Sequence, residues 1–242
     1  MSTEPGSARM AAVLGSPVRH SLSPVLHSAA FRALGLNGWH YERIECDAER
    51  LPGLVASLGP ECVGLSVTMP GKRAALSVAT EATARAEAVG AANTLVRLRS
   101  GGWCADCTDV DGVLGALDVT GGIRTGPSTT AVILGAGGTA AAALAAFATL
   151  RVGGVTLVVR DPARAEATVA AAHRMGIPID IARWTDVRLG RLAAGASVVV
   201  STVPPDAVAE HAEEIAGAAC LLDVIYHPWP TPLAEAAQRR ER

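Results

Sequence analysis

Residues 131–150 read A-V-I-L-G-A-G-G-T-A-A-A-A-L-A-A-F-A-T-L, which is an apolar run of four residues, a glycine-rich turn and an alanine-rich stretch. Glycine at 135 permits a tight turn, and glycine at 137 lets the backbone approach a pyrophosphate. The helix that follows offers N–H groups at its N-terminus to the anion. The pattern therefore predicts a dinucleotide-binding turn, with a plain strand-to-helix turn as the alternative. The expected cofactor-binding residues of this turn are Gly135, Ala136, Gly137, Gly138 and Thr139.

Short β-branched runs alternate with alanine-rich stretches on both sides of this turn, which is typical of an α/β protein. A βαβ series in the second half predicts a doubly wound parallel sheet of the Rossmann type. Strands are expected at 10–14, 39–44, 63–67, 131–134, 155–159, 177–181, 197–201 and 220–225, with a hairpin of 94–99 and 103–107. Helices are expected at 24–34, 51–58, 73–79, 109–117, 139–150 and 162–175, and a loop at 119–128.

The composition of the 242 residues excludes several classes of protein. Half of the chain is hydrophobic and 18% is charged, with a net charge of −2, so disorder and a basic nucleic-acid surface are not expected. Glycines interrupt the apolar stretch 131–150, which favours a buried strand and helix over a membrane span. We therefore expect a soluble protein that binds a small molecule, with no nucleic-acid or membrane partner. The sequence is compatible with a homodimer.

Five scattered cysteines and no signal peptide indicate reduced thiols in the cytoplasm. Cys104 and Cys107 form a C-x-x-C, but no second pair or nearby histidine completes a zinc site, so we expect no metal.

The choice of nicotinamide cofactor depends on residues 159–164, V-R-D-P-A-R. An acidic residue at this place holds a ribose 2′-hydroxyl, whereas arginines pair with a 2′-phosphate. Arg160 and Arg164 can converge on a phosphate, and Asp161 is explained as the N-cap before Pro162. We expect NADP, with NAD as the alternative.

Lys72 is the one lysine in a chain that contains 20 arginines. Arginine is effectively never deprotonated, whereas a lysine can exchange its proton once it is partly buried or paired. Lys72 is therefore a candidate acid or base, and an incidental surface lysine is the alternative. It closes the segment S-V-T-M-P-G-K (66–72), in which the predicted buried strand 63–67 ends and a polar loop follows.

Two serines precede the predicted first helix in S-L-S-P (21–24). Ser23 is placed to cap that helix, but a second serine two residues earlier gains nothing from capping. Both hydroxyls together with the helix N-terminus could hold a carboxylate.

The chain resembles the shikimate dehydrogenase family through seven segments that occur in the family's order. They are H-S-L-S-P (20–24), S-V-T-M-P-G-K (66–72), G-A-A-N-T-L (90–95), T-D-V-D-G (108–112), G-A-G-G-T-A (135–140), S-T-V-P (201–204) and D-V-I-Y-H-P-W-P-T-P-L (223–233). The resemblance implies reversible, NADPH-dependent reduction of 3-dehydroshikimate to shikimate, in the chorismate route to aromatic amino acids.

The resemblance also implies roles for individual residues. Ser21 and Ser23 would bind the substrate carboxylate with help from Tyr226. Thr68, Asn93 and Asp109 would bind the ring hydroxyls, and Lys72 and Asp109 would form the catalytic pair. Arg160, Arg164 and Thr202 would contact the cofactor.

We accordingly expect two domains with the active site in the cleft between them. Residues 1–108 would form an α/β substrate-binding and catalytic domain, and 109–229 an NADP-binding Rossmann domain. Residues 230–242 are expected to pack back on the first domain.

Three departures from the family pattern leave alternatives open. The usual G-x-N-T-D is Ala105-Asp106-Cys107-Thr108-Asp109 here, and Val159 and Asp161 replace neutral polar residues beside the arginines. Family members also continue past T-P-L with a further strand and helix. The alternatives are an NAD-using quinate/shikimate dehydrogenase and a weakly active or inactive NADP-binding member of the family.

Overall fold

The structure is a computed structural model, and it describes residues 8–119 and 126–240. The expected loop at 119–128 therefore lies largely outside the described residues. The chain divides into two compact units, of which the first ends at Thr108 and the second begins at Asp109.

The first unit is built on a six-stranded mixed sheet in the order β2-β1-β3-β5-β6-β4. Its strands are β1 (Arg9–Gly15), β2 (Trp39–Glu45), β3 (Cys62–Val67), β4 (Glu81–Ala82), β5 (Thr94–Arg97) and β6 (Trp103–Asp106). Its helices are α1 (Ser23–Ala33), α2 (Leu51–Ser57), α3 (Lys72–Val78) and α4 (Ala84–Val89). Strand β1 pairs in parallel with β2 and β3, and β5 and β6 form the expected antiparallel hairpin.

The core of the first unit lies between this sheet and its helices. Leu14, Leu51 and Leu95 are fully buried in one apolar cluster with Trp103. Buried Leu65 and Val67 alternate with half-buried Gly64 and Ser66 along β3, which places one face of that strand in the cluster. Helix α4 and the two-residue strand β4 were not predicted, because their sequence carries no periodic apolar pattern.

The second unit is built on a five-stranded parallel sheet in the order β11-β10-β7-β8-β9. Its strands are β7 (Thr130–Leu134), β8 (Gly154–Val159), β9 (Ile179–Arg183), β10 (Val198–Ser201) and β11 (Leu221–Asp223). Its helices are α5 (Asp109–Val119), α6 (Gly138–Thr149), α7 (Glu166–Arg174), α8 (Leu189–Gly195), α9 (Pro205–Val208), α10 (Ala212–Ile215) and α11 (Pro232–Arg240). The prediction of a Rossmann-type parallel sheet is confirmed.

The direction of winding reverses between β7 and β10. From β7 the chain proceeds to β8 and β9 on one side, and afterwards to β10 and β11 on the other. Ligands of doubly wound sheets bind at the carboxyl ends of the strands at this point of reversal. Helix α6, which starts there, is buried from Ala140 to Phe147. Within the described ranges, no helix is long and apolar enough to cross a membrane.

The C-terminal helix α11 corrects the expectation that residues 230–242 pack on the first domain. Leu233 and Ala236 are fully buried in the apolar cluster of the second unit, together with Ile215. The Arg239 side chain donates to Glu213 Oε1 at 2.9 Å. The apolar stripe of α11 is therefore buried against α9 and α10, which the sequence analysis did not predict as helices.

Candidate functional site

The carboxyl ends of β1 and β3 meet closely in the first unit. A Cβ added to Gly15 would lie 2.3 Å from Thr68 Cγ2, so a side chain at position 15 would collide with Thr68. The Thr68 N–H donates to Leu14 O at 2.8 Å, and the Ser16 N–H donates to Met69 O at 3.0 Å. The loop after β1 and the loop after β3 are therefore fixed to each other at one edge of the sheet.

Ser21 lies in the first of these loops, and Ser23 is the first residue of α1. Ser21 is buried, its hydroxyl accepts from the Ser23 N–H at 3.3 Å, and its carbonyl accepts from Arg43 Nη2 at 2.6 Å. Leu22 is the N-cap residue of α1, and its own apolar side chain makes no capping hydrogen bond. The structure thus corrects the capping interpretation: it is Ser21, and not Ser23, whose side chain satisfies a first-turn N–H.

A buried tyrosine that the sequence analysis missed lies beside these serines. The Tyr41 hydroxyl donates to Ser66 Oγ at 2.7 Å and also hydrogen bonds with Ser23, and burial raises the pKa of the Tyr41 phenol. The His27 ring stacks on Tyr41 with centroids 4.1 Å apart. Tyr41 lies on β2 and Ser66 on β3, with β1 between them, so only the strand order could have shown that they meet.

Lys72 is the first residue of α3 and is half-buried. The Lys72 carbonyl accepts from the Ala92 N–H at 2.8 Å. Asn93 follows Ala92, and its carbonyl accepts from the Val67 N–H at 2.7 Å. These bonds tie the start of α3 and the start of β5 to the end of β3. The structure therefore brings Thr68, Lys72 and Asn93 to the same edge of the first sheet.

The Asn93 amide organises the residues before Asp109. Its Oδ1 accepts from the Thr108 N–H at 2.9 Å, from the Thr108 hydroxyl at 3.1 Å and from the Thr94 hydroxyl at 3.0 Å. Asp109 follows directly as the first residue of the second unit and of α5.

Asp106 is a second residue that the sequence analysis did not single out as functional. Its carboxylate accepts from Arg85 Nε at 3.0 Å and from Arg85 Nη2, and Oδ1 also accepts from the Thr83 hydroxyl at 2.7 Å. The hydrogen bonds from Arg85 lower the pKa of this carboxyl. The Cys107 N–H donates to Asp106 Oδ1 at 2.8 Å, so the ion pair fixes the backbone just before Thr108.

The glycine turn of the second unit lies at the predicted place between β7 and α6. Gly135 has φ +102°, and a Cβ there would lie 2.7 Å from Thr202 Oγ1. The Thr202 hydroxyl donates to Leu134 O at 2.8 Å, and the fully buried Thr168 donates to Ala136 O at 2.8 Å. Thr202 thus packs beside the turn from β10, across the point where the winding reverses.

Gly137 faces open space in the same turn. A Cβ at Gly137 would meet no atom of the described protein within 4 Å, and α6 has no side-chain cap from those residues. Helix α6 begins at Gly138, with Thr139 in its first turn. An open backbone beside a helix N-terminus without acidic first-turn residues suits a pyrophosphate.

Arg160 and Arg164 lie at the carboxyl end of β8, which neighbours β7. Arg160 directly follows the strand, Arg164 lies in the 3-10 turn Pro162–Ala165, and both are exposed. Asp161 Oδ1 accepts from the Ala163 N–H at 3.1 Å, which confirms Asp161 as the cap of that turn. The aspartate is thereby engaged locally, and the two arginines are the cations at this strand end.

Tyr226 lies in the segment after β11, and 51% of its surface is exposed. Since β11 neighbours β10, Tyr226 and Thr202 follow adjacent strands of the second sheet.

All five cysteines are free thiols, and the described residues contain no cluster of His, Cys, Asp and Glu that could hold a metal ion.

Known proteins resemble the chain over nearly its whole length. A model of the shikimate dehydrogenase substrate binding domain matches residues 13–95. A shikimate dehydrogenase (NADP(+)) of Synechococcus sp. (strain JA-3-3Ab) is 35% identical over 246 aligned positions, covering 96% of this chain and 80% of that protein.

Two crystal structures extend the similarity to three dimensions. A shikimate 5-dehydrogenase from Mycobacterium fortuitum is 52% identical with a TM-score of 0.82, covering 99% of this chain and 87% of that one. The shikimate 5-dehydrogenase from Thermus thermophilus, solved with NADP(H) and shikimate, is 30% identical with a TM-score of 0.78, covering 96% of this chain and 84% of that one. The chain belongs to the shikimate dehydrogenase family.

Proposed function

We propose that this protein is an NADP-dependent shikimate dehydrogenase, which reversibly reduces 3-dehydroshikimate to shikimate. The observation that carries the proposal is the position of the chain's one lysine. Lys72 is held through its carbonyl at the sheet edge that also carries Thr68 and Asn93. The names and bound molecules of the similar proteins support the same reaction and the same cofactor.

Lys72 is the proton donor in this proposal. NADPH, when bound, supplies the hydride that adds to the ketone carbon. Negative charge then develops on the ketone oxygen, and a cationic donor within hydrogen-bond reach neutralises it. Lys72 gives its proton to that oxygen, and Asp109 orients the ammonium group. In the oxidative direction Lys72 takes the proton back from the hydroxyl.

The substrate is held mainly by hydroxyl and amide groups of the first unit. Ser21 and Ser23 bind the carboxylate, with Tyr226 assisting, while Thr68 and Asn93 bind ring hydroxyls.

NADP is bound at the carboxyl ends of the parallel strands in the second unit. The open backbone at Gly137 and the first turn of α6 accept the pyrophosphate. Thr202 lines the turn at Gly135. Arg160 and Arg164 pair with the 2′-phosphate, which NAD lacks.

The proposal also includes the cytoplasm as the cell compartment and a homodimer as the assembly. Five free thiols suit the reducing cytoplasm, where a biosynthetic enzyme of this kind would act. Light scattering on the purified protein distinguishes a homodimer from a monomer.

The test is a spectrophotometric assay of shikimate oxidation by the 242-residue chain, with NADP and with NAD in parallel. We expect turnover with a clear preference for NADP. Turnover with NAD and quinate instead would assign the protein to the quinate/shikimate branch. Binding of NADPH without turnover of either acid would contradict an enzymatic role.

A further inference from the structure

A single carboxylate ties together the two ends of the segment that carries Tyr226. Asp223 is the last residue of β11, and its Oδ1 accepts from the Ile225 N–H at 3.1 Å. Its Oδ2 accepts from the Thr231 hydroxyl at 2.7 Å. Residues 224–230, here called the tyrosine loop, are therefore closed at their base by two hydrogen bonds to one side chain.

The base of the tyrosine loop is buried, whereas its tip is not. Thr231 is fully buried, and its hydroxyl also accepts from the Ala234 N–H at 3.1 Å, which joins the loop to the first turn of α11. Leu233 in that turn is fully buried in the core of the second unit. By contrast, all residues of the tip, 226–230, are exposed. The anchor at Asp223 and Thr231 thus holds the base of a loop whose tip is exposed.

The chemistry of the anchor is specific to these residue types. Two donors, a backbone N–H and a hydroxyl, meet the two oxygens of Asp223, and an ionised carboxylate is a pure acceptor that satisfies both. The Thr231 hydroxyl donates to Asp223 while it accepts from Ala234. Serine can make both bonds, whereas valine, which has nearly the same shape as threonine, can make neither.

We propose that Asp223 and Thr231 are positioning residues that hold the tyrosine loop so that Tyr226 meets the substrate carboxylate. This inference rests on the proposed function, because it needs Tyr226 to contact shikimate. Neither residue touches the substrate in this proposal. They act on the reaction by holding Tyr226 in place. Their loss is therefore expected to change the KM for shikimate more than kcat.

The decisive comparison is Thr231→Val against Thr231→Ser. We expect Thr231→Val to raise the KM for shikimate on the order of tenfold or more, since small misplacements of binding groups are costly. It should change kcat much less and leave the Kd of NADPH, measured by binding, within about twofold. Thr231→Ser should restore the wild-type KM.

Hydrogen exchange supplies a readout that does not depend on activity. Peptides that cover residues 224–231 should exchange faster in Thr231→Val than in the wild type or in Thr231→Ser. Ser201→Ala is a matched control: Ser201 pairs with Asp223 across β10 and β11, and its buried hydroxyl has no hydrogen-bond partner within the described part of the chain. That variant should retain the wild-type KM and exchange.

Each outcome decides the proposal. Wild-type KM and wild-type exchange in Thr231→Val would overturn it, and so would faster exchange with an unchanged KM. If Thr231→Val does not fold, Asp223→Asn, which keeps one acceptor oxygen, should raise the KM in the same direction, and an unchanged KM would overturn the proposal. If the wild-type chain binds NADPH but does not oxidise shikimate, the proposed function fails, and the role of Tyr226 fails with it. If the wild-type chain does oxidise shikimate but Thr231→Val exchanges at the wild-type rate, only the anchor is refuted.

Discussion

The side-chain oxygen of Asn93 accepts hydrogen bonds from both the backbone N–H and the hydroxyl of Thr108, at 2.9 and 3.1 Å. Asn93 directly precedes β5, and Thr108 directly precedes Asp109. One amide therefore fixes the backbone from which the proposed partner of Lys72 emerges. The same amide is proposed to contact substrate, so binding and positioning are coupled in one side chain.

Replacing Asn93 with alanine should lower kcat/KM for shikimate on the order of tenfold or more, because Thr108 is no longer fixed. The unfolding free energy should fall by about 1 kcal/mol, since the lost bonds lie near solvent. Steady-state kinetics and urea unfolding check both effects. Thr94→Val is the control, because it removes one of the three donors to the amide and the 3.4 Å contact with the Thr108 hydroxyl but keeps both bonds from Thr108 to Asn93 Oδ1. Equal losses in the two variants would argue against a special role for the Asn93–Thr108 contact.

Two alanine substitutions in the glycine turn should separate stability from cofactor binding. Gly135→Ala places a Cβ 2.7 Å from Thr202 Oγ1 at a residue with φ +102°, and should cost about 1–3 kcal/mol of stability. Gly137→Ala meets no described protein atom and has φ −87°, so the fold should keep its stability. Its Cβ should nevertheless block the pyrophosphate and weaken NADPH binding. Thermal unfolding and NADPH titration are the measurements, and wild-type NADPH affinity in Gly137→Ala would refute the proposed cradle.

Arg160→Ala should weaken NADPH binding much more than NADH binding, because only NADPH carries the 2′-phosphate. Fluorescence titration with both cofactors measures the difference. Asp161→Ala is the comparison variant: it removes the cap of the 3-10 turn and should cost about 1 kcal/mol of stability without reversing cofactor preference. An equal loss of both cofactors in Arg160→Ala would show that the backbone or Asp161 sets the choice.

The Arg85–Asp106 pair should make stability sensitive to acid. The pKa of Asp106 is lowered in the folded protein, chiefly by hydrogen bonds from Arg85. The pair therefore stabilises the fold above the ordinary aspartate pKa of about 3.9, and this contribution is lost as the pH falls through the lowered folded value. The unfolding free energy of Asp106→Asn should consequently decline less steeply on acidification than that of the wild type. Arg85→Gln should flatten the profile similarly, and a wild-type slope in both variants would contradict the assignment.

Local sequence patterns were sufficient to predict the larger elements of the fold. The glycine turn, the strand before it, the helix after it and the β5–β6 hairpin each have a signal within a few residues. Helices α9 and α10 have four residues each, too few to show a periodic apolar face, and they were missed. The packing of α11 was assigned to the wrong unit because the apolar surface that buries Leu233 belongs in part to those short helices.

Contacts between distant residues explain what the sequence could not show about the site. Thr68, Lys72 and Asn93 could be selected by their place in motifs, since each ends or begins an element. The pairing of Tyr41 with Ser66 depends on strand order, and the pairing of Arg85 with Asp106 joins residues 21 positions apart. Such side chains support the site through tertiary contacts, which leave no local pattern in the sequence.

The most direct test of the account is the turnover of Lys72→Ala and Lys72→Arg with shikimate and NADP. Both variants should lose roughly 10²–10⁴ in kcat, because alanine has no proton to give and arginine cannot exchange its own. Their affinity for NADPH should stay close to that of the wild type, since the proposed cofactor site lies in the second unit. Near wild-type turnover in either variant would contradict the role of Lys72 as the acid and base of the reaction.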